Sequence, residues 1–457
     1  MDVLDFVIIG AGPAGEAAAY KARELGASVA IVDRRWFGGS CPHIGCVPSK
    51  SLLHAAERHA SGADYPWSRA SARRDYMVNR APDAAAPDDT SHVHGLEKAG
   101  ALVYRGEGQI TSRGVVTVRH EGESHELAAR NVIVAVGSHS KVPPLDGLAE
   151  THPWTNRDAT LARELPRSML VLGGGPSGCE LAQVYLRFGV PVTIVQSGPR
   201  LVATEHPRNS EVVRFALERD GGIVRTGVRA VRARANAGTD GKHVVELDDG
   251  STAEGHVILL AVGRTFPVKD LGFEHYGVIA EGPGAFARDG ALRLADGLWV
   301  AGDVAGPELH THQGHYQGEL AVRMAMGDPI VPDYRALPRA TYMDPESASV
   351  GLTLDQALAA GLDAFECFVD FRTTAKGYSV EADTGHVTIV VDRATRELVG
   401  AAMACPDASG AIHECVLAIK AHVPVDILAE TIHAFPSTSR IFNGLFAEAR
   451  TRLAAGS

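Results

Sequence analysis

Cysteine is scarce. Six in 457 residues cannot staple a chain of this length, so a disulfide scaffold is excluded and the core has to come from apolar burial. Cys179, Cys367, Cys405 and Cys415 have no spacing that reads as a metal set, and are expected to be small buried hydrophobes. Blocks of lysine and arginine are also missing. With 44 basic against 55 acidic residues the net charge is -11, which argues against nucleic acid and membrane partners, since both are recognised by clustered cations. The start, Met1-Asp2-Val3-Leu4-Asp5, lacks the basic region and small-residue cleavage site of an export signal, so a cytoplasmic location is expected. What is present, 45% hydrophobic and 22% charged residues, reads as a soluble globular chain of two to four domains.

Glycine is abundant and placed. Residues 5–9 read as a buried parallel strand, followed by Gly10-Ala11-Gly12-Pro13-Ala14-Gly15, a helical pattern over 16–25 and a second strand over 28–32. The unit recurs as a strand at 168–172, the turn Gly173-Gly174-Gly175-Pro176-Ser177-Gly178, a helix and a strand at 192–195. Two Rossmann-like nucleotide-binding domains in an α/β fold are therefore expected. In each, backbone N–H groups and the positive helix end can hold a pyrophosphate. Asp33, about 20 residues past the first loop, ends the second strand and is placed to bind an adenosine ribose. The run Pro82-Asp83-Ala84-Ala85-Ala86-Pro87-Asp88-Asp89 is a surface loop by composition.

The most specific signal is Gly38-Gly39-Ser40-Cys41-Pro42-His43-Ile44-Gly45-Cys46-Val47-Pro48-Ser49-Lys50. On a regular helix, rising ~1.5 Å per residue, cysteines five apart sit ~7.5 Å apart along the axis, beyond the ~7 Å Cα limit for a bridge. A redox-active pair here demands a distorted helix start, which Pro42 and Gly45 suit.

Together with the first glycine loop, these residues resemble the flavoprotein disulfide reductases, the family of dihydrolipoamide dehydrogenase, glutathione reductase and mercuric reductase. The resemblance runs over essentially the whole chain. It implies FAD and NADPH or NADH as cofactors, a C-terminal α+β dimerisation domain, and a homodimer whose active site is completed by the partner's C-terminal domain. It implies that Cys46 lies against the flavin as a thiolate and that Cys41 exchanges with a small-molecule substrate, with Lys50 pairing with Glu180. For FAD it implies Gly10, Gly12, Pro13, Ala14, Gly15, Asp33, Gly39, Ser40 and Lys50. Gly137, in Val134-Ala135-Val136-Gly137-Ser138, and Gly302 and Asp303, in Trp299-Val300-Ala301-Gly302-Asp303, join them. For NAD(P) it implies Gly173, Gly175, Gly178, Glu180, Gln196, Ser197, Arg200 and Gly263. The expected domains are 1–148 and 268–331 for FAD, 149–267 for NAD(P) and 332–457 for the interface, with an alternating strand over 386–391 and a helical stretch over 408–421 in the last. The tract His310-Thr311-His312-Gln313-Gly314-His315 falls where relatives carry Thr-His and Gln-Gly, so no metal site is expected there.

Gln196 stands where an acid would favour NADH. Arginine is absent from the next position, which is Ser197, and the nearest candidate for a 2′-phosphate is Arg200; the balance tips slightly toward NADPH. The larger departure is near the C-terminus, in His433-Ala434-Phe435-Pro436-Ser437-Thr438-Ser439-Arg440. Phe435 replaces the family's proton-carrying histidine and Arg440 the glutamate that orients it. A positioned acid/base is worth ~10²- to 10⁴-fold, so ordinary dithiol exchange is handicapped unless His433 substitutes. Three acceptors stay open: a thiol-bound metal ion of the mercuric type, a carbanion as in 2-ketopropyl-coenzyme M oxidoreductase/carboxylase, which also has Phe there, or a specialised disulfide whose anionic group meets Arg440. Mercuric reductase is weakened by the absence of paired C-terminal cysteines and of an N-terminal CxxC domain. The reading adopted is an NAD(P)H-dependent flavoprotein oxidoreductase passing electrons from Cys41 and Cys46 to a small disulfide or thiol-reactive acceptor. A redox sensor or electron carrier without efficient turnover is the alternative of another class.

Overall fold

The computed structural model describes residues 3–279 and 290–455. The chain divides into two compact units, Met1–Ser51, Ser71–Lys141 and Gly263–Pro332 forming one, Leu52–Ala70, Val142–Val262 and Asp333–Ser457 the other. In the first unit the strand Leu4–Ile9 runs parallel to Val29–Asp33 on one side and to Glu123–Val134 on the other, with Leu102–Arg105 and Leu298–Val300 extending the sheet. Phe6, Ile8, Ile31, Val132 and Ile133 are fully buried, as a parallel sheet covered on both faces requires. The helix Pro13–Glu24 follows the first glycine loop and packs on Thr311–Ala325. That contact is made by small residues: a Cβ on Gly318 would fall on the Ala14 carbonyl, 3.0 Å from its carbon. The close approach fixes where Thr311, the first residue of the second helix, can stand.

The second unit repeats the motif as a parallel sheet of Ile223–Thr226, Val192–Gln196, Met169–Leu172 and Val257–Leu260, with the helix Pro176–Arg187 after the second loop. Its C-terminal part is an antiparallel five-stranded sheet, in the order Pro338–Thr341, Ser347–Gly351, Glu397–Ala404, His386–Asp392, Ala364–Asp370. The helices His413–Lys420 and Arg440–Ala455 pack on it. The strand expected to alternate is buried at every position from His386 to Asp392. Val387, Ile389 and Val391 enter the apolar core with Phe442 and Phe446, while on the opposite face His386 Nε2 lies 2.6 Å from Asn209 Oδ1 of the helix Pro207–Arg219. The sequence alternates, with His386, Thr388 and Asp392 on the second face, but that face is covered too and its polar groups are buried in hydrogen bonds. The 408–421 stretch is two helices, Ala408–Ala411 and His413–Lys420. No described helix is long and apolar enough to cross a membrane.

Candidate active site

The first glycine loop is built to come close to a ligand. Gly10 has φ +104°, and a Cβ there would lie 2.6 Å from the Ala135 carbonyl carbon; a Cβ on Gly15 would strike the Gly10 carbonyl. Gly12, by contrast, is extended, with only Gly39 Cα within reach of its missing Cβ, at 3.9 Å. No side chain caps the helix Pro13–Glu24, so its first-turn N–H groups are left for another acceptor. Asp33 Oδ2 accepts from the Ala11 N–H at 2.8 Å and Oδ1 from the Arg35 N–H at 2.7 Å. Burial pushes its carboxyl above the usual range against these two donors. Gly137 has φ +64° with open space at its Cβ position. Gly302, φ +78°, abuts Ala14, and Asp303 accepts a hydrogen bond from Ser138 Oγ, itself held by Arg264 Nε.

The cysteine segment packs on this loop. Gly38 N–H donates to the Ala11 carbonyl at 2.8 Å, and Gly39, φ +68°, is so close that a Cβ would stand 2.6 Å from Gly12 Cα. The helix start is distorted as the spacing demands: Ser40–His43 forms one short turn, Ile44 and Gly45 break it, and Cys46–Ala60 begins anew. The break brings the sulfurs within hydrogen-bond reach. That bond to Cys46, followed by burial and by the charge on Cys46, pushes the Cys41 thiol well up, so Cys41 holds its proton. Cys46 is exposed, Cys41 partly buried. Cys46 opens its own helix, and Thr311 Oγ1, at the start of Thr311–Ala325, lies 3.3 Å from its Sγ. Two helix starts therefore meet at the Cys46 sulfur, where their dipoles favour a thiolate.

Sequence reasoning missed three supports of this segment. His43 is buried between the two cysteines; its Nε2 donates to the Phe37 carbonyl at 2.8 Å, while Nδ1 has no partner among the described residues. Burial lowers its pKa, keeping the ring neutral. Asp89, placed in a surface loop by composition, is buried; it accepts from Phe37 N–H at 2.8 Å and from Arg105 at 2.9 Å. His92 Nδ1 is 2.9 Å from Glu16, the interaction that raises its pKa, and its ring packs on Gly38.

In the second unit the nucleotide loop repeats the geometry. Gly173 has φ +107° with a Cβ position 2.5 Å from the Ala261 carbonyl carbon, a Cβ on Gly178 would strike the Gly173 carbonyl, and Gly175 is extended with nothing within 4 Å. The helix Pro176–Arg187 is likewise uncapped. Gln196 Oε1 accepts from Gly174 N–H at 2.9 Å, and Ser197 is exposed beside it. Arg200, the candidate for a 2′-phosphate, has its Nη1 turned back onto the Glu205 carbonyl at 2.6 Å and Ser210 Oγ at 2.8 Å. Glu180 is buried and accepts from Tyr342 N–H at 2.9 Å. Gly263, expected with NAD(P), lies in the first unit, where its carbonyl accepts from Lys141 N–H at 2.9 Å; Lys50 is also in the first unit.

The C-terminal loop presents Phe435, 72% exposed and joined to Pro436 by a cis peptide bond. His433 does not reach outward: its Nε2 is 2.8 Å from Glu414 Oε1 and its Nδ1 3.0 Å from the Thr431 carbonyl, so both ring nitrogens are in use within the chain. Arg440 opens the helix Arg440–Ala455 and donates from Nη1 to Asn443 at 2.7 Å. Phe435, Pro436, Ser437 and Arg440 form one side of a cavity of about 390 Å³, with Phe368 and Lys376 on another. Among the described residues no three of His, Cys, Asp and Glu cluster as a metal site; in the tract at 310–315 the His310 and His312 rings stack at 5.0 Å, and Gln313 and Gln317 hold the Gly306 carbonyl.

A loop-bound sulfur pair at two helix starts, together with two uncapped glycine loops, defines a redox enzyme of a known kind. Residues 4–321 match the pyridine nucleotide-disulphide oxidoreductase family and residues 337–445 its dimerisation domain, and the chain belongs to that family. It is an NAD(P)H-dependent disulfide oxidoreductase, and the cofactors of its class are FAD and NAD(P)H. The two uncapped loops with an acceptor at each second strand end fit a dinucleotide apiece. The dihydrolipoyl dehydrogenases of Chlorobaculum tepidum and Thermus scotoductus are each 33% identical to it, over 95% and 96% of this chain and 94% and 96% of theirs. Among solved structures, the HOCl-induced flavoprotein disulfide reductase RclA from Escherichia coli shares the fold, with TM-score 0.84 and 25% identity over 97% of this chain and 99% of that one. LpdA from Mycobacterium tuberculosis does so with TM-score 0.86 and 24% identity, over 98% and 99%.

Proposed function

We propose that the protein is a homodimer that passes electrons from NAD(P)H, with FAD bound at the first glycine loop, to Cys41 and Cys46 and on to a small disulfide or thiol-reactive acceptor. The carrying observation is the pair of hydrogen-bonded sulfurs on a segment that packs against that loop. Bound FAD supplies the two-electron link between nicotinamide and disulfide. For a disulfide acceptor the overall reaction is NAD(P)H + H⁺ + RSSR → NAD(P)⁺ + 2 RSH. Cys41 sulfur, once its proton has left, attacks one acceptor sulfur and expels the other as a thiolate, which takes a proton. Cys46 sulfur then attacks Cys41 within the mixed disulfide, expelling the second thiolate and reforming the Cys41–Cys46 bond.

In this reading Gly12, Gly39, Ser40, Asp33, Gly137, Gly302 and Asp303 hold FAD, and Gly173, Gly175, Gly178, Gln196 and Ser197 hold NAD(P). Lys50 and Glu180 serve the redox centre, and the partner's C-terminal domain completes the site. His433 is a positioning residue that ties its loop to Glu414. Phe435 supplies no proton to the expelled thiolate, so acceptors whose leaving thiolate is already a stable anion are favoured over lipoamide. The same absence favours a thiol-bound metal ion as second reading, because its reduction requires no proton on a leaving group.

Anaerobic titration of the holoenzyme with NADH or NADPH should develop the long-wavelength thiolate-to-flavin absorbance. Cys46→Ser should abolish it. A band that survives the substitution overturns the role given to Cys46. Absence of steady NAD(P)H consumption with every disulfide and metal ion tried supports a carrier or sensor instead.

A further inference from the structure

Thr311 touches both sulfurs. Its Oγ1 lies 3.3 Å from Cys46 Sγ and is hydrogen-bonded to Cys41 as well. The bond to Cys46, burial and the Cys46 charge push the Cys41 thiol up, and the Thr311 hydroxyl alone among side chains pulls it back, as a donor to the Cys41 sulfur does once the proton has gone. Attack by Cys41 therefore needs a base, and a hydroxyl stands where the proton can be handed on. On either side of Thr311 in the chain is an imidazole. His310 is half-buried at the cap of the helix Thr311–Ala325 without capping it through its side chain, and His312, in the first turn, is exposed. The two rings stack at 5.0 Å with 11° between their planes. Consecutive Cα atoms are ~3.8 Å apart, so both histidines belong to the immediate surroundings of the hydroxyl, and all three residues lie in the same unit as the cysteines. Other groups that could take the proton are engaged: Glu16 holds His92, Asp303 holds Ser138, and His433 holds Glu414. His43 is kept neutral by burial.

Resting on the proposed function, we infer that the stacked pair His310 and His312 is the base that takes the Cys41 proton, with the Thr311 hydroxyl handing it on. As the Cys41 S–H gives its proton to Thr311 Oγ1, the hydroxyl's own proton passes to an imidazole nitrogen, directly or through one water. Cys41 is left as the thiolate that attacks the acceptor, and the pair as an imidazolium that loses its proton to solvent at the exposed His312. The pair thus performs the deprotonating half of the work that Phe435 cannot do. The expelled thiolate gains no donor from it, so the preference for acceptors that leave as stable anions is untouched.

A bis(nitrophenyl) disulfide isolates this step, because its leaving thiolate needs no proton. His310→Phe combined with His312→Phe keeps two rings for the stack and removes every imidazole nitrogen, while Thr311→Val removes the hydroxyl at constant shape. With the FAD-loaded dimer, kcat/KM for that disulfide should fall about a hundredfold in each, the low end of what a positioned base contributes. Iodoacetamide labelling of Cys41 in the NAD(P)H-reduced dimer, read by peptide mass, should slow in both. Added imidazole should restore part of the rate in the double variant, which a purely structural role for the rings would not allow. If the double variant fails to hold FAD, Thr311→Val carries the test alone. An unchanged rate in Thr311→Val, or a loss in the double variant that imidazole does not relieve, overturns the assignment. Neither result touches the proposed function, which fails separately if NAD(P)H does not reduce the wild-type sulfur pair.

Discussion

Two glycines of the second nucleotide loop should fail for opposite reasons when replaced by alanine. A Cβ on Gly178 would strike the Gly173 carbonyl oxygen and stand 3.1 Å from Ala261 Cβ, so the helix Pro176–Arg187 has to lift from its sheet. Overpacking of this kind costs roughly 1–3 kcal/mol, a drop in Tm of several degrees for a domain of this size. Gly175 has φ -78° and ψ 177°, open to any residue, and its Cβ would meet nothing within 4 Å. Gly175→Ala therefore leaves the fold intact and places a methyl group in the space before the uncapped N–H groups. Loss of one hydrogen bond to a charged group costs about 1.5–3 kcal/mol, which is roughly tenfold to a hundredfold in KM for NAD(P)H. Thermal melting, FAD content and steady-state kinetics separate the two: Gly178→Ala should lower Tm, and Gly175→Ala should raise KM at unchanged Tm and FAD content. If Gly175→Ala keeps the wild-type KM, no pyrophosphate sits at that helix start and the cofactor geometry is wrong. In the first loop Gly15 and Gly12 form the matching pair, with FAD retention as the readout.

Two further outcomes follow from buried or neutral polar groups. His386, 2% exposed, has its pKa driven from 6.5 to about 3 by burial, then by His206 and Arg208 beside it, against Glu366, which raises it. The unfolded chain thus binds a proton that the folded one refuses below pH 6.5. Stability should fall by about 1.4 kcal/mol per unit as pH drops from 6.5 toward 3. Melting curves of the wild type and His386→Gln should converge as pH falls through this window, and parallel curves would refute the buried neutral ring. Gln196→Glu should keep the bond to Gly174 N–H while placing a charge beside a 2′-phosphate. It should cut kcat/KM for NADPH relative to NADH by at least about tenfold, and an unchanged ratio would move the adenosine ribose elsewhere.

What was legible in the sequence was local. Each glycine loop lies between its strand and helix within a few residues, and a bridge between Cys41 and Cys46 demanded the break seen at Ile44 and Gly45. Contacts made over long sequence separations left no period to read. Thr311 reaches Cys46 across 265 positions, and Ser138 and Arg264 hold Asp303 from separate segments. Asp89 was hidden by the polar composition of its loop, because the partner that buries it, Phe37 N–H, is 52 residues away. The same applies to Lys376, which joins Phe435 and Arg440 only through the fold of the C-terminal sheet. His43 could have been found: a histidine midway between redox cysteines is a titratable group in a place where only packing was considered.

Comparison of the two nucleotide loops separates two tasks carried by one position. In the first, Asp33 Oδ2 closes the loop on Ala11 N–H at 2.8 Å; in the second, Gln196 Oε1 closes it on Gly174 N–H at 2.9 Å. Closing the loop requires an acceptor oxygen on a side chain at the end of the second strand, and a carboxamide serves as well as a carboxylate. Choosing the sugar requires something more, because only the charge distinguishes a ribose hydroxyl from a phosphate. The second unit keeps the oxygen and drops the charge, and it turns Arg200 Nη1 back toward Glu205 and Ser210. The loop is therefore as well formed as the first with no carboxylate at its edge, so the charge at position 196 can change without cost to the turn.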